Sequence, residues 1–366
     1  MPEGKDDKHR LLVINVGSTS TKVAFFLGND PVATETIRYR AEDLARLPSS
    51  GGQLELREKD VMAFLGKHGI SLGNIDMVVS RGGLGKPAPA GAYRVDETMR
   101  DDLLEGKYGK HPSALGPSMA FDFSKKFGMP ALVVDPPSTD EFEPLARISG
   151  LPEIERKSAF HALNQKMAAR KYALSVGKKY EETDVVVAHL GGGITIGAHR
   201  RGRVIDCTHG LAEGPMTPER SGGLPTMDLI DLAFSGKTDK KGIQGRLVGQ
   251  GGLMAYLGTA DALTVEDRIR GGDEKAEKVY EAVAYQVAKE IGAMATVLQG
   301  RLDAVILTGG LAHSRLLTGW IEERVRFLAP VFIFPGEDEM SALAEGGLRV
   351  LRKEEETKTY GTEISR

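Results

Sequence analysis

A chain of 366 residues is longer than one ordinary hydrophobic core supports, and at roughly 150 residues per domain it predicts two domains. Apolar residues make up 41% and charged residues 27%, the balance of a globular protein, and no apolar run approaches the ~18 residues of a membrane span. The net charge of −3, with lysines and arginines scattered, lacks the basic footprint of a nucleic-acid binder, and the single cysteine, Cys207, allows neither an internal disulfide nor a zinc-type spacing.

The polar opening MPEGKDDKHR has no apolar stretch of the secretory kind and reads as a tail before the first strand, so a cytoplasmic location is expected. LLVIN (11–15) is an apolar run ended by VGSTST, and KVAFFLG follows as a second run of strand length, which predicts a hairpin with a polar tip. IDMVVS (75–80) and PALVVD (130–135) are further strands, each delivering polar residues at its C-terminal end. Helical patterns lie between them at 112–128 and 153–177, stopping at Gly128 and Gly177. Strands alternating with helices predict an α/β fold.

The second half repeats this outline. Residues 184–206 read as strand, glycine-rich turn, strand, turn, strand, echoing residues 11 to about 38. A long amphipathic helix from about Glu274 to Gln299 precedes the strand of RLDAVILTGGLAHS, and APVFIFPGEDEM supplies a last strand with an acidic tip before a C-terminal helix. The repetition points to a duplicated fold of two lobes with a cleft between them, residues 1–150 plus a C-terminal helix at 343–366 forming one lobe and 151–342 the other.

Three loops of Gly, Ser and Thr each follow an apolar strand: Gly17–Lys22, His189–Gly193 and Thr308–Ser314. Such loops bring several backbone N–H groups to a phosphate without Cβ obstruction, and hydroxyls add donors. Two other phosphate signatures are excluded. Gly236-Lys237-Thr238 has Asp231 where a P-loop needs its first glycine, and Ile196 stands where a dinucleotide fingerprint needs its third, so NAD is not supported. Cys207, with Asp206 and His209 as sequence neighbours at a strand end, reads as structural rather than nucleophilic.

In their order the three loops resemble the two phosphate loops and the adenosine loop of the acetate and sugar kinase, Hsp70 and actin superfamily, which implies a ribonuclease H-like, actin-like ATPase fold. INVGSTSTKVAFF, VVSRGGLGKP, the ARISGLPEIERKSAFHALNQKMAAR stretch, HLGGGITIGAH, GPMTPERSGGLP, ILTGGLAHS and PGEDEMSALAEGGLRVL resemble segments of the acetokinase family, in particular its butyrate or branched-chain carboxylate kinase branch. Gly192 stands where acetate kinases carry an asparagine, which favours that branch.

The resemblance implies ATP or ADP and Mg²⁺ as cofactors, a short-chain carboxylate and its acyl phosphate as substrate and product, and a homodimer or larger assembly. Setting a carboxylate against a polyphosphate costs roughly 4 kcal/mol per unit-charge pair at ~4 Å and an effective dielectric near 20, so cations must be present. Arg81 and Arg220 are the candidates for that task. His161 resembles the family histidine that donates to the phosphoryl group in flight, and His111 a second, substrate-side histidine. Asp135, at a strand end, is a positioning carboxylate or a turn cap, since an ionised acceptor needs no general base. Asn15 and Glu339 resemble the metal-side pair, with Glu337 and Asp338 as neighbours that compete for the assignment. Ser18, Ser20 and Lys22 belong to the first phosphate loop, His189, Gly191, Gly192 and Gly193 to the second, and Gly309 and Gly310 to the adenosine side. Acetate or propionate kinases are the alternative within enzymes, because a methylene is worth only ~1–3 kcal/mol and the pocket that measures it is not legible in a sequence. A nucleotide-driven conformational switch of the Hsp70 or actin type is the alternative of another class.

Overall fold

The computed structural model describes residues 9–47 and 50–361. The polar tail expected at the N-terminus lies, through residue 8, outside the described residues, as does the end of the segment expected at 343–366. The chain divides into two units, one built from residues up to Asp140 and again from Asp338 onward, the other from Glu141 to Glu337. No helix among the described residues is long and apolar enough to cross a membrane.

In the first unit the strands β1 (Arg10–Val16), β2 (Ser20–Leu27), β3 (Asp30–Arg38), β4 (Met77–Ser80), β5 (Ala92–Arg94) and β6 (Ala131–Val134) form one sheet in the order β3-β2-β1-β4-β6-β5. β1 and β2 form the expected hairpin, with Asn15 opposite Lys22 and Val16 opposite Thr21. β4 then joins β1 in parallel, and β6 joins β4 in parallel. Residues 11–14 of β1 are an unbroken apolar run because both faces of the strand are covered. Leu12, Ile14, Val78 and Val133 pack under the helix Leu115–Phe127, whereas Gly346 and Gly347 of the helix Glu339–Leu351 lie against Val134, Val79 and Leu11 on the opposite face.

In the second unit β7 (Asp184–Leu190), β8 (Ile194–Arg200), β9 (Arg203–Cys207), β10 (Ala304–Gly309) and β11 (Val331–Pro335) are ordered β11-β10-β7-β8-β9. This is the order and the set of directions of β6-β4-β1-β2-β3. Even the irregularity recurs, between Phe25 and Phe26 in the first unit and between Ala198 and His199 in the second. One face carries the helix Ala162–Ser175 and the other the helix Glu274–Val297, whose buried stripe from Tyr280 through Val283, Val287 and Ile291 follows helical spacing.

Two helix expectations are corrected. The pattern at 153–177 yields a helix only from Ala162 to Ser175, because the preceding segment is committed elsewhere. The Arg156 guanidinium there binds the Ala146 and Cys207 carbonyls and the carboxylates of Asp206 and Glu213 at 2.8–3.0 Å, and these tertiary bonds override a helix-favouring sequence. His161 therefore occupies the N-cap position of this helix, with no capping bond from its side chain, instead of lying within it. The C-terminal helix begins at Glu339, not 343, and ends at Leu351. Lys353 adopts a left-handed conformation (φ 61°) just past its end, a stop usually made by glycine and so without a signature here. The chain then returns to the sheet edge, where the Lys358 N–H donates to the Ala92 carbonyl at 2.8 Å.

Glu58, on the helix Ser50–Lys67, is pushed up to about 7 by burial and then by the neighbouring Asp122 carboxylate. The fold thus prefers the protonated form. That contribution is complete below about 4.5, the ordinary glutamate value, and is lost as pH rises through about 7. Urea unfolding of wild type should show stability falling across this window, and Glu58→Gln should flatten the slope.

Candidate active site

In the first unit the β1–β2 turn is closed by the Gly17 N–H donating to the Ser20 carbonyl at 2.9 Å, with Ser18 and Lys22 exposed and Ser20 half-buried. Behind it sits Arg57, fully buried, which donates to the Ser18 carbonyl at 3.1 Å and to the Ser20 carbonyl and Thr21 hydroxyl at 2.8 Å. The guanidinium stacks on the Tyr39 ring and makes no ion pair among the described residues. By drawing carbonyls backward it places a positive charge directly behind the loop.

At the end of β1, Asn15 Nδ2 donates to Glu339 Oε2 at 2.6 Å, and Glu339 Oε1 lies 3.4 Å from Arg81 Nη1. The three acidic neighbours are thereby separated. Glu339 joins Asn15 and Arg81, Asp338 caps the C-terminal helix through the Ser341 N–H at 3.3 Å, and Glu337, in the second unit, faces His189. No group of three or more His, Cys, Asp or Glu side chains able to hold a metal occurs among the described residues. Glu339 is the one carboxylate here, with the Asn15 amide turning its nitrogen toward it, and Mg²⁺ needs only one or two protein oxygens beside water and phosphate.

Asp135 is buried at φ 40°, and its Oδ1 accepts the Gly91 N–H at 2.8 Å while its own N–H donates to the Gly91 carbonyl at 3.0 Å, a tether between segments distant in the chain and not a local turn cap. His111 precedes the short 3₁₀ turn Pro112–Ala114, where its Nδ1 accepts the Ser113 N–H at 3.2 Å and the proton therefore sits on Nε2. Burial and then the Arg81 charge hold His111 below the usual histidine range, toward the neutral form.

The second unit gathers His161, His189, the Gly191–Gly193 turn and Arg220. The helix Ala162–Ser175 opens with three buried polar residues, each with a separate task. Asn164 Oδ1 accepts from His189 Nδ1 at 2.6 Å, Gln165 bonds Thr195, and Lys166 pairs with Glu141 at 2.9 Å. His189 Nε2 lies 3.2 Å from Glu337 Oε1, and the His161 and His189 rings stack with centroids 3.8 Å apart. Thr217 ties the Pro-Glu-Arg turn to the second loop, donating to the Gly192 carbonyl at 2.7 Å while accepting the Glu219 and Arg220 N–H groups.

Arg220 is half-buried, and its side chain makes a single hydrogen bond, Nη1 to the Gly210 carbonyl at 2.6 Å, with no ion pair among the described residues. Burial lowers its affinity for a proton, although an arginine so placed stays charged. A Cβ on Gly193 would come 2.2 Å from Nη1, so a bare backbone at 193 is what admits the guanidinium. Gly309 (φ 91°) brings β10 against Leu190, where a Cβ would meet the Leu190 carbonyl at 2.3 Å. A cavity of about 770 Å³ in this unit, within the usual range for ligand sites, is lined by Gly191, Gly192, Glu219, Gly310, Ser314 and Glu337 among others. Cys207 is buried, and burial pushes its thiol up, away from the reactive thiolate.

Arg57, Thr195 and Thr217 were not anticipated from the sequence. Arg57 had a usable signal, since Leu54, Arg57, Val61 and Phe64 share one helical stripe and a charge on such a stripe needs a buried partner.

The model of the Acetokinase family matches residues 153–318. Among solved structures, the acetate kinase of Porphyromonas gingivalis superposes with a TM-score of 0.77 at 18% identity, covering 94% of this chain and 100% of that one. A propionate kinase from Francisella tularensis gives 0.72 at 18% identity over 92% and 98%. A ROK hexokinase from Thermus thermophilus gives 0.52 at 14% over 93% and 99%. The fold is thus the duplicated α/β, actin-like ATPase fold of these kinases.

Proposed function

We propose that the chain is a carboxylate kinase of the acetokinase family that transfers the terminal phosphoryl group of ATP to a short-chain fatty acid, butyrate or a branched analogue, reversibly and in line. The observation that carries this reading is Arg220, a half-buried cation that makes no ion pair among the described residues, with Glu219 as its nearby negative charge, held on the Gly210 carbonyl in the unit that carries the Gly191–Gly193 turn. A half-buried guanidinium that spends one hydrogen bond on the protein keeps planar donors for the charge of a migrating phosphoryl group.

In this mechanism the Gly17 and Gly191 N–H groups close their own turns, those of Ser18 and Thr19 and of Gly192 and Gly193 hold phosphate oxygens, Arg220 neutralises charge on the phosphoryl group, and His161 donates to it. Arg81 takes the substrate carboxylate. Glu339 and Asn15 would hold Mg²⁺, which supplies charge neutralisation at the phosphates when bound. Gly82 and Gly83, immediately after Arg81, open onto a small apolar hollow lined by Met99, Leu103 and Val133, which together with Gly192 supports an acid with an aliphatic tail.

A hydroxamate assay with ATP, Mg²⁺ and acids from acetate to isovalerate tests this directly. Turnover is expected with butyrate or a branched acid preferred. Preference for acetate or propionate would move the assignment to those kinases, and slow ATP hydrolysis indifferent to every acid would replace it with a conformational switch.

A further inference from the structure

Behind His161 runs an unbroken chain of polar groups closed off from solvent. The Gln165 amide nitrogen lies 3.0 Å from the Thr195 carbonyl, which can only accept, so this atom is the NH₂ group and Gln165 Oε1 is the atom facing His199 Nε2 at 3.0 Å. His199 must therefore carry its proton on Nε2, which leaves Nδ1 to accept from the Tyr180 hydroxyl at 2.8 Å. Burial, with Lys166 and Arg170 nearby, holds His199 well below the usual histidine range, in agreement with a single proton.

On the other side, the same Gln165 nitrogen donates to Thr195 Oγ1 at 2.8 Å, and the His161 backbone N–H approaches that oxygen at 3.4 Å. Both lone pairs of the hydroxyl are then occupied. Its hydrogen has one acceptor among the described residues, His161 Nδ1 at 2.9 Å. Protonating Nδ1 would leave a buried hydroxyl without an acceptor. The arrangement also requires Gly197, because a Cβ there would come 2.5 Å from Gln165 Oε1 and 3.2 Å from His199 Nε2.

We infer that the chain Tyr180–His199–Gln165–Thr195 locks His161 in the neutral tautomer with its proton on Nε2, so that His161 meets an anionic ligand as an N–H donor of fixed orientation. Gln165 and Thr195 are positioning residues that act through His161. The lock follows from the hydrogen-bond directions alone, whereas the identity of the anion, a phosphoryl oxygen, rests on the carboxylate kinase reading.

Long-range ¹H–¹⁵N correlation spectra of the full-length protein labelled at histidine nitrogen, with the His161 signal assigned by its loss in His161→Gln, are expected to show a pyridine-like Nδ1 and a pyrrole-like Nε2. Thr195→Val should turn this into a mixture of tautomers and lower kcat about tenfold, the scale of one neutral hydrogen bond, with the KM for ATP nearly unchanged, while Thr195→Ser restores both. A protonated Nδ1 in wild type overturns the lock, whatever the assay reads. Mixed tautomers in Thr195→Val with kcat unmoved overturn the positioning role. Failure of wild type to form any acyl phosphate rejects the kinase reading, while the spectra still decide whether the tautomer is locked.

Discussion

Arg220→Ala is expected to lower kcat for acyl phosphate formation by roughly 10³-fold or more, the scale of a removed transition-state arginine, with a much smaller change in the KM for ATP. The side chain spends one hydrogen bond on the Gly210 carbonyl and makes no ion pair among the described residues, Glu219 acting on it only at longer range, so its remaining donors are available to charge that develops during transfer. Lysine should not rescue, because a single ammonium cannot bond Gly210 and a phosphoryl oxygen with the guanidinium's planar geometry. Gly193→Ala should reproduce much of the loss with arginine still present, since the added methyl occupies the space of Nη1 and forces the guanidinium aside. Steady-state kinetics of the three variants, with thermal unfolding to establish that each is folded, is the measurement. An Arg220→Ala enzyme with near-normal turnover would remove Arg220 from the chemistry.

The parts of this molecule that were legible in its sequence are those set by local rules. The hairpins at 10–27 and 184–200 follow from apolar runs interrupted by Gly, Ser and Thr, and the recurrence of that pattern anticipated the duplication, though not the strand order of either sheet. His161, Arg220 and the glycine turns could be singled out as candidates because a specific motif surrounds each. What stayed hidden depends on partners distant in the chain. The helix at 162 starts late because Arg156 is claimed by Asp206 and Glu213, fifty residues or more away. Thr195 is one threonine among many until Gln165 and His161 converge on it. The Lys353 stop carries no glycine and could not be read from composition.

Glu141→Leu is expected to destabilise the protein by about 3–5 kcal/mol, the cost of stripping a buried cation of its counter-ion. Lys166 is 1% exposed, and its ammonium has two polar partners among the described residues, Glu141 Oε2 and the Gly202 carbonyl, both at 2.9 Å. Removing the carboxylate leaves a buried cation facing one carbonyl and the Tyr180 ring at 5.4 Å, too little to offset desolvation. The pair itself need not be strongly stabilising, because bringing two ions out of water costs about as much as their attraction returns. Glu141→Leu combined with Lys166→Met should therefore recover the part of the lost stability that belongs to the unpaired charge, but not the part that belongs to the Val204 N–H, which donates to Glu141 Oε2 at 2.9 Å in wild type. Urea unfolding of Glu141→Leu, Lys166→Met and the double variant closes the cycle, and a double variant as unstable as Glu141→Leu would show that the loss is not that of an unpaired charge. Activity should return with stability, since Asn164 and Gln165, which orient the two stacked histidines, keep their own partners when the neighbouring ion pair is replaced by apolar packing.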